Sequence, residues 1–235
     1  MRADGRRAEE IRPVEIEPGY LRGPAGSAFI RCGATWVLCS ASVGERVPAH
    51  VTRGGWLTAE YAMLPGSAAE RVARGPSGRG KEIERLIGRS LRAALDLNRL
   101  PPLTLTIDCD VLQADGGTRT AAITGGYVAL VLALRRLRAE GVLGDDPLRG
   151  PVAAVSAGLV GGTACLDLSY QEDAEAEVDM NFVMRRDDGA LRFVEVQGTG
   201  ERGSFDRSQL EALCELAARG IAQLMEAQAR ALACG

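Results

Sequence analysis

The stretch Ile107-Asp-Cys-Asp-Val-Leu-Gln-Ala-Asp-Gly-Gly-Thr-Arg-Thr-Ala-Ala-Ile-Thr-Gly-Gly-Tyr127 decides how this chain folds. It opens as a buried strand, because Leu103, Leu105, Ile107, Cys109 and Val111 alternate with more polar neighbours. Asp115-Gly116-Gly117 then turns the chain into a helical run that ends near Gly141. Glycines in that turn let backbone N–H groups approach a ligand closely. A helix start offers unpaired N–H donors and positive partial charge, and so favours an anion. Arg119, in the first turn, adds a planar and permanently charged donor fork. The local chemistry is that of an oxyanion site, although Gly-Lys-Ser/Thr of the Walker A loop is missing. The alternative is a plain strand-to-helix turn, with Asp115 or Thr118 capping the helix and Arg119 solvated.

Before that stretch, the charged segment Arg2–Arg12 is expected to lie on the surface. Strands are predicted at Val14–Glu17, Ser27–Cys32 and Thr35–Val43, the last two joined as a hairpin at Gly33-Ala34, with a further extended segment at Trp56–Ala62. Lys81–Asn98 is predicted to be a helix. Ile83, Leu86, Ile87, Leu91 and Leu95 form its apolar face, and Arg85, Arg89 and Arg92 form a basic stripe. That stripe could follow a phosphate backbone, pair with acids of another subunit, or simply be solvated.

After it, the loop Gly144–Gly150 divides an N-terminal half, about 1–143, from a C-terminal half, about 150–235. The second half repeats the order of strands followed by a helix. Val152–Val160 and Thr163–Leu168 meet at Gly161-Gly162, Val178–Met184 and Leu191–Val196 meet at Asp187-Asp188-Gly189, and a helix runs from about Arg207 to Ala231. The expected class is α+β, with mixed sheets packed against helices. In Asp173-Ala-Glu-Ala-Glu-Val-Asp179 the acids fall at every second residue. If extended, all of them project to one side, either as a metal and acid/base site or as the wet face of an edge strand.

Composition narrows the functional classes. The 235 residues are 46% hydrophobic and 25% charged, an ordinary globular balance, and a net charge of −3 argues against a generally basic nucleic-acid protein. Lys81 is the sole lysine, and arginines gather between Arg71 and Arg92. The six cysteines form no Cys-x-x-Cys pair, and His50 is the single histidine. Zinc sites and histidine-activated nucleophiles are therefore not expected. With no uncharged apolar run of about 18 residues and no apolar leader, neither a membrane span nor export is expected, and the cytoplasm is the expected compartment.

The ordered motifs closely resemble the bacterial ribonuclease PH family over nearly the whole chain. They are Arg-x-Asp-Gly-Arg at 2–6, Ala59-Glu-Tyr-Ala-Met-Leu-Pro65, Ser77-Gly-Arg79, Glu82–Arg92, Ile107–Gly125, Leu166–Asp173, Asp179-Met-Asn181 and Glu195–Thr199. The resemblance implies one domain of duplicated β/α units and a homohexameric ring. It also implies a phosphate-dependent 3′-to-5′ exoribonuclease that trims tRNA precursors, releases nucleoside diphosphates and runs backwards as nucleotide addition. By motif, Arg79, Gly117, Thr118 and Arg119 would bind the co-substrate phosphate. Asp173 and Asp179 would bind Mg²⁺ or protonate the leaving 3′-oxygen, making them catalytic together with Arg119. Arg71, Arg74 and Arg89 would contact RNA. The loops 48–56 and 71–79 look shorter than the family's. An inactive RNA-binding ring subunit would lack the acidic pair or Arg119, and the length leaves no room for a polynucleotide phosphorylase.

Overall fold

In the computed structural model, which describes residues 2–234, the alternating stretch around Ile107 is an inner strand of a five-stranded sheet. The strands are β1 (Val14–Pro18), β2 (Gly26–Cys32), β3 (Thr35–Gly44), β4 (Trp56–Met63) and β5 (Thr104–Gln113), in the spatial order β1-β2-β3-β5-β4. On β5, Leu105, Ile107, Cys109 and Val111 are buried, and the residues between them are half-buried. β2 and β3 form the expected hairpin, with Cys32 opposite Thr35 and Gly33 at positive φ (56°). β4 runs parallel to β5. A parallel pair needs a crossover, and α1 (Gly78–Arg92) supplies it.

The second sheet is antiparallel throughout, in the order β7-β6-β8-β9. It comprises β6 (Val152–Val160), β7 (Thr163–Leu166), β8 (Val178–Asp187) and β9 (Ala190–Thr199). Between the two sheets lies α2 (Thr118–Ala139), against β2 and β3 on one side and β6 on the other. A helix covered on both sides has no polar face to keep, so α2 is apolar nearly all round. By length and composition alone it could cross a membrane, but 83% of its most apolar window is buried between the sheets, as befits a core helix. Gly125 permits that closeness, since a Cβ there would lie 2.7 Å from the Ile30 side chain. The last helix, α4 (Arg207–Cys234), covers β6 and β1 through Leu213, Ala217, Ile221 and Leu224.

The structure revises three expectations. The helix expected over 81–98 starts at Gly78, capped by Ser77, whose hydroxyl accepts from the Gly80 N–H at 2.9 Å, and it ends at Arg92. Asp96 then caps a 3-10 turn at Leu97–Arg99, and Leu95 bridges to Leu148. The acids of 173–179 do not share one extended face. Tyr170–Glu175 forms α3, started by a capping box in which Ser169 and Glu172 satisfy each other's backbone N–H. Finally, the N-terminal segment lies on the surface only in part: Ala3–Gly5, Arg7 and Glu9 are exposed, but Arg12 is 4% exposed and the Arg2 and Arg6 side chains are 6% and 10% exposed.

Candidate active site

Where β5 passes into α2, Gly116 and Gly117 both have left-handed φ, 72° and 65°. The N-cap is Gly117, with no side-chain cap, so neither Asp115 nor Thr118 fills that role. Asp115 instead accepts from the Tyr170 N–H at 3.2 Å, tying the loop to the start of α3. Thr118 shares a 2.8 Å hydrogen bond with the Tyr61 hydroxyl of β4. The first-turn N–H groups of α2 are thereby left for a ligand.

Around this helix start is a cleft of about 530 Å³. Six residues expected from the sequence line it together: Arg79, Gly117, Thr118, Arg119, Asp173 and Asp179. They come from the start of α1, the start of α2, α3 and the start of β8. The Arg119 side chain is 18% exposed and not solvated; its Nη1 stands 3.4 Å from Glu82 Oε1 and 3.5 Å from Gln197 Oε1. Those contacts are long, so much of its hydrogen-bonding capacity remains for a ligand.

The opposite wall is acidic. Burial and the neighbouring Asp173 charge push Asp179 up from the ordinary 3.8 to about 6, against the opposing pull of Arg119 and Arg79. Burial also raises Asp173. Asp179 Oδ1 is buried without a partner. A buried, unsatisfied carboxylate oxygen facing a cleft suits a proton or a hard cation. No group of three or more His, Cys, Asp or Glu gathers around a common point among the described residues. Two carboxylates completed by substrate oxygens and water match the habit of Mg²⁺ better than that of zinc.

The remaining sequence candidates lie apart from the cleft. Arg71 and Arg74 are exposed on the loop after Met63, whose Ala68, Ala69 and Glu70 form the cleft rim. That loop is pinned at its base by Ala114 N–H to Ser67 O, 2.7 Å, and Val72 N–H to Pro65 O, 3.0 Å. Arg89 is engaged by both carboxylate oxygens of Glu195 on β9. The cysteines Cys32, Cys39, Cys109 and Cys165 are buried, and His50 packs edge-on against Trp56, 5.0 Å between ring centres.

Sequence reasoning missed the supports of the site. Arg2 grips Glu172 with two 2.6 Å hydrogen bonds, holding the helix that carries Asp173. Arg12 and Thr35 reach the Asp115–Gly116 loop from behind, and Arg12 is anchored on Asp167. Ser169-x-x-Glu172 was a readable capping signal. For Arg12 there was none, because its partner Asp167 is 155 residues away.

Comparison with known proteins accords with this geometry. A model described as the 3′ exoribonuclease family, domain 1, matches residues 10–135, and its domain 2 matches residues 150–220. The chain is 53% identical to ribonuclease PH of Corynebacterium kroppenstedtii over 99% of its own length and 93% of the relative's. It is likewise 53% identical to ribonuclease PH of Crocosphaera subtropica, over 99% of this chain and 98% of that one. Among solved structures, rice Rrp46 superposes with a TM-score of 0.80 at 20% identity, covering 98% of this chain and 99% of that one. A chain of the Archaeoglobus fulgidus exosome with RNA bound to the active site gives 0.78 at 23% identity, covering 96% and 91%.

Proposed function

Because the chain belongs to the 3′ exoribonuclease family, of ribonuclease PH type, we propose that its cleft performs phosphorolysis with the residues gathered around the start of α2. The protein is a phosphate-dependent 3′-to-5′ exoribonuclease acting on tRNA precursors. The observation that carries the assignment of roles is the pairing, across one cleft, of an uncapped helix start bearing Arg119 with a carboxyl pair that resists ionisation.

Inorganic phosphate sits on the free N–H groups at Gly117 and Thr118, with Arg119 and Arg79 offsetting its charge. Two anions must meet here, and preorganised positive groups remove most of their repulsion. A phosphate oxygen attacks the phosphorus of the terminal diester, the bond to the 3′-oxygen breaks, and the last nucleotide leaves as a diphosphate. The departing 3′-oxygen needs a proton or a cation. Asp179, which keeps its proton to about pH 6, supplies the proton with Asp173 beside it. Asp173 and Asp179 would also hold Mg²⁺, which when bound would supply Lewis-acid stabilisation of the charge that develops on the leaving group. In the reverse direction the same pair accepts the proton of the 3′-hydroxyl. The nucleophile is the co-substrate, so no covalent enzyme intermediate and no histidine or thiol is required.

The test is a tRNA precursor with a 3′ extension. It should shorten only when phosphate is present, and without phosphate it should lengthen when nucleoside diphosphates are added. Hydrolysis to monophosphates in phosphate-free buffer would overturn the reading.

RNA is held beyond the cleft by Arg71 and Arg74, whose exposure and loop setting suit contacts to the backbone of a folded RNA. Replacing both with alanine should slow precursor trimming and flatten its salt dependence by about 0.7–0.9 in log–log slope per lost phosphate contact. A short unstructured RNA should be degraded as before; equal loss on both substrates would exclude this role. The subunits assemble into a homohexameric ring, a reading supported by the exposure of Phe193 and Val196, 52% and 45%, on the edge strand β9.

A further inference from the structure

Arg12 falls outside every motif that carries the family resemblance, yet the loop at the start of α2 is built upon it. Its Nε and Nη2 donate to the two carboxylate oxygens of Asp167 at 3.0 and 2.6 Å, and its backbone N–H donates to Asp167 Oδ2 at 2.8 Å. Its Nη1 donates to the Asp115 carbonyl, and Nη2 reaches the Gly116 carbonyl at 3.4 Å. The Thr35 hydroxyl donates to the same Gly116 carbonyl at 2.6 Å and accepts from the Asp115 N–H at 2.9 Å. Burial works against the charge on Arg12, and Asp167 outweighs it, raising the guanidinium pKa.

Asp167 is itself held in place. It has a left-handed φ of 53°, which is costly for a residue with a side chain. Its carbonyl accepts from Arg2 and Arg6 at 2.9 and 3.1 Å, and its N–H donates to Ser156 O at 2.7 Å. Arg12 passes through a slot that two glycines leave open. A Cβ on Gly33 would stand 2.8 Å from Arg12 Cδ, and one on Gly117 would stand 3.0 Å from Nη2.

The consequence follows from peptide geometry. In a trans peptide the C=O and the next N–H point in opposite directions, and no cis bond occurs among the described residues. Arg12 and Thr35 hold the carbonyls of Asp115 and Gly116 behind the loop. Arg12 lines an internal cavity there with Thr120 and Asp167, and it is not part of the cleft. The N–H groups of Gly116 and Gly117 are therefore turned the other way, and neither has a partner among the described residues.

We infer that Arg12, fixed by Asp167 and backed by Thr35, is a positioning residue for the phosphate nucleophile. By gripping the two carbonyls it aims the Gly116 and Gly117 N–H groups into the cleft. It thus sets the affinity for inorganic phosphate and, in reverse, for the terminal phosphate of a nucleoside diphosphate. The inference rests on reading Gly117–Arg119 as the phosphate site, to which it adds the Gly116 N–H.

Two variants test it. Arg12→Lys keeps the charge but cannot hold a carboxylate and two carbonyls at once. Thr35→Val removes the hydroxyl and keeps the shape. The phosphate KM should rise by about tenfold in Arg12→Lys, as for one charge-assisted hydrogen bond misdirected, and less in Thr35→Val. The nucleoside diphosphate KM should rise in step, while kcat at saturating phosphate and RNA affinity change little. Inorganic phosphate should also protect both variants less against thermal unfolding than it protects the parent. A fall in kcat or melting temperature with the phosphate KM unmoved, as a merely structural role would give, overturns the inference. If Arg12→Lys does not fold, Thr35→Val decides alone. A parent enzyme that works without phosphate would instead overturn the phosphate site itself.

Discussion

Asp179→Asn is expected to abolish both phosphorolysis and nucleotide addition while making the protein more stable at neutral pH. Asparagine keeps the shape of the side chain and removes its ability to carry a proton or ligate a cation. Both directions pass through the same transition state, so both must fail together. The stability effect follows from the raised pKa. An unfolded carboxyl titrates near 3.8, whereas Asp179 titrates near 6 in the folded chain. The folded state therefore binds the proton more tightly, and stability from this group is fully present below pH 4 and lost as pH rises through 6. Above that the ionised Asp179 costs up to about 3 kcal/mol. Parent and variant should melt alike near pH 4 and diverge by pH 7, with the variant higher. Comparing melting curves at the two pH values with assays in both directions checks this. A variant active in either direction would remove Asp179 from the chemistry.

Arg119→Ala carries the second large effect. The side chain is nearly enclosed, contacts Glu82 and Gln197 only loosely, and lines the cleft at the helix start, the proposed seat of the nucleophile. Losing one such charge-stabilising donor is expected to lower kcat by about 10²–10³, or roughly 3–4 kcal/mol. RNA binding should hold, because the proposed backbone grip is that of Arg71 and Arg74. A second readout is independent of activity. Arg119 opposes the rise of Asp179, so its removal should move the Asp179 titration above 6, which carboxyl NMR can follow. Parent-like turnover together with an unmoved titration would return Arg119 to a structural role.

How much of this could be read in advance depended on how local the cause was. The alternation of Leu105, Ile107, Cys109 and Val111 defines β5, and Gly33 and Gly161-Gly162 mark two-residue turns by their own conformational needs. The turn into α2 was legible for the same reason, since Gly116 and Gly117 both adopt left-handed φ there. The acidic stretch misled because every-second-residue spacing imitates a strand. There the Ser169–Glu172 capping box, reinforced by Arg2 from the far end of the chain, favours a helix until Val178 begins β8. The N-terminal arginines read as a solvated run because charge is normally exposed. Nothing nearby announces that Asp167 and Glu172 will bury Arg2, Arg6 and Arg12, while Arg7 stays exposed. Arg89 matched a backbone-tracking stripe, and a carboxylate on another sheet engages it.

Single-turnover reaction of a tRNA precursor with isotopically labelled inorganic phosphate tests the central claim most directly. If phosphate bound at Gly117–Arg119 is the nucleophile, the label appears in the β-phosphate of the released nucleoside diphosphate. The amount should be one label per nucleotide removed, and Arg119→Ala should slow its incorporation and RNA shortening in step. Unlabelled nucleoside monophosphates, released at the same rate with or without phosphate, would mean that water is the nucleophile and would contradict the account.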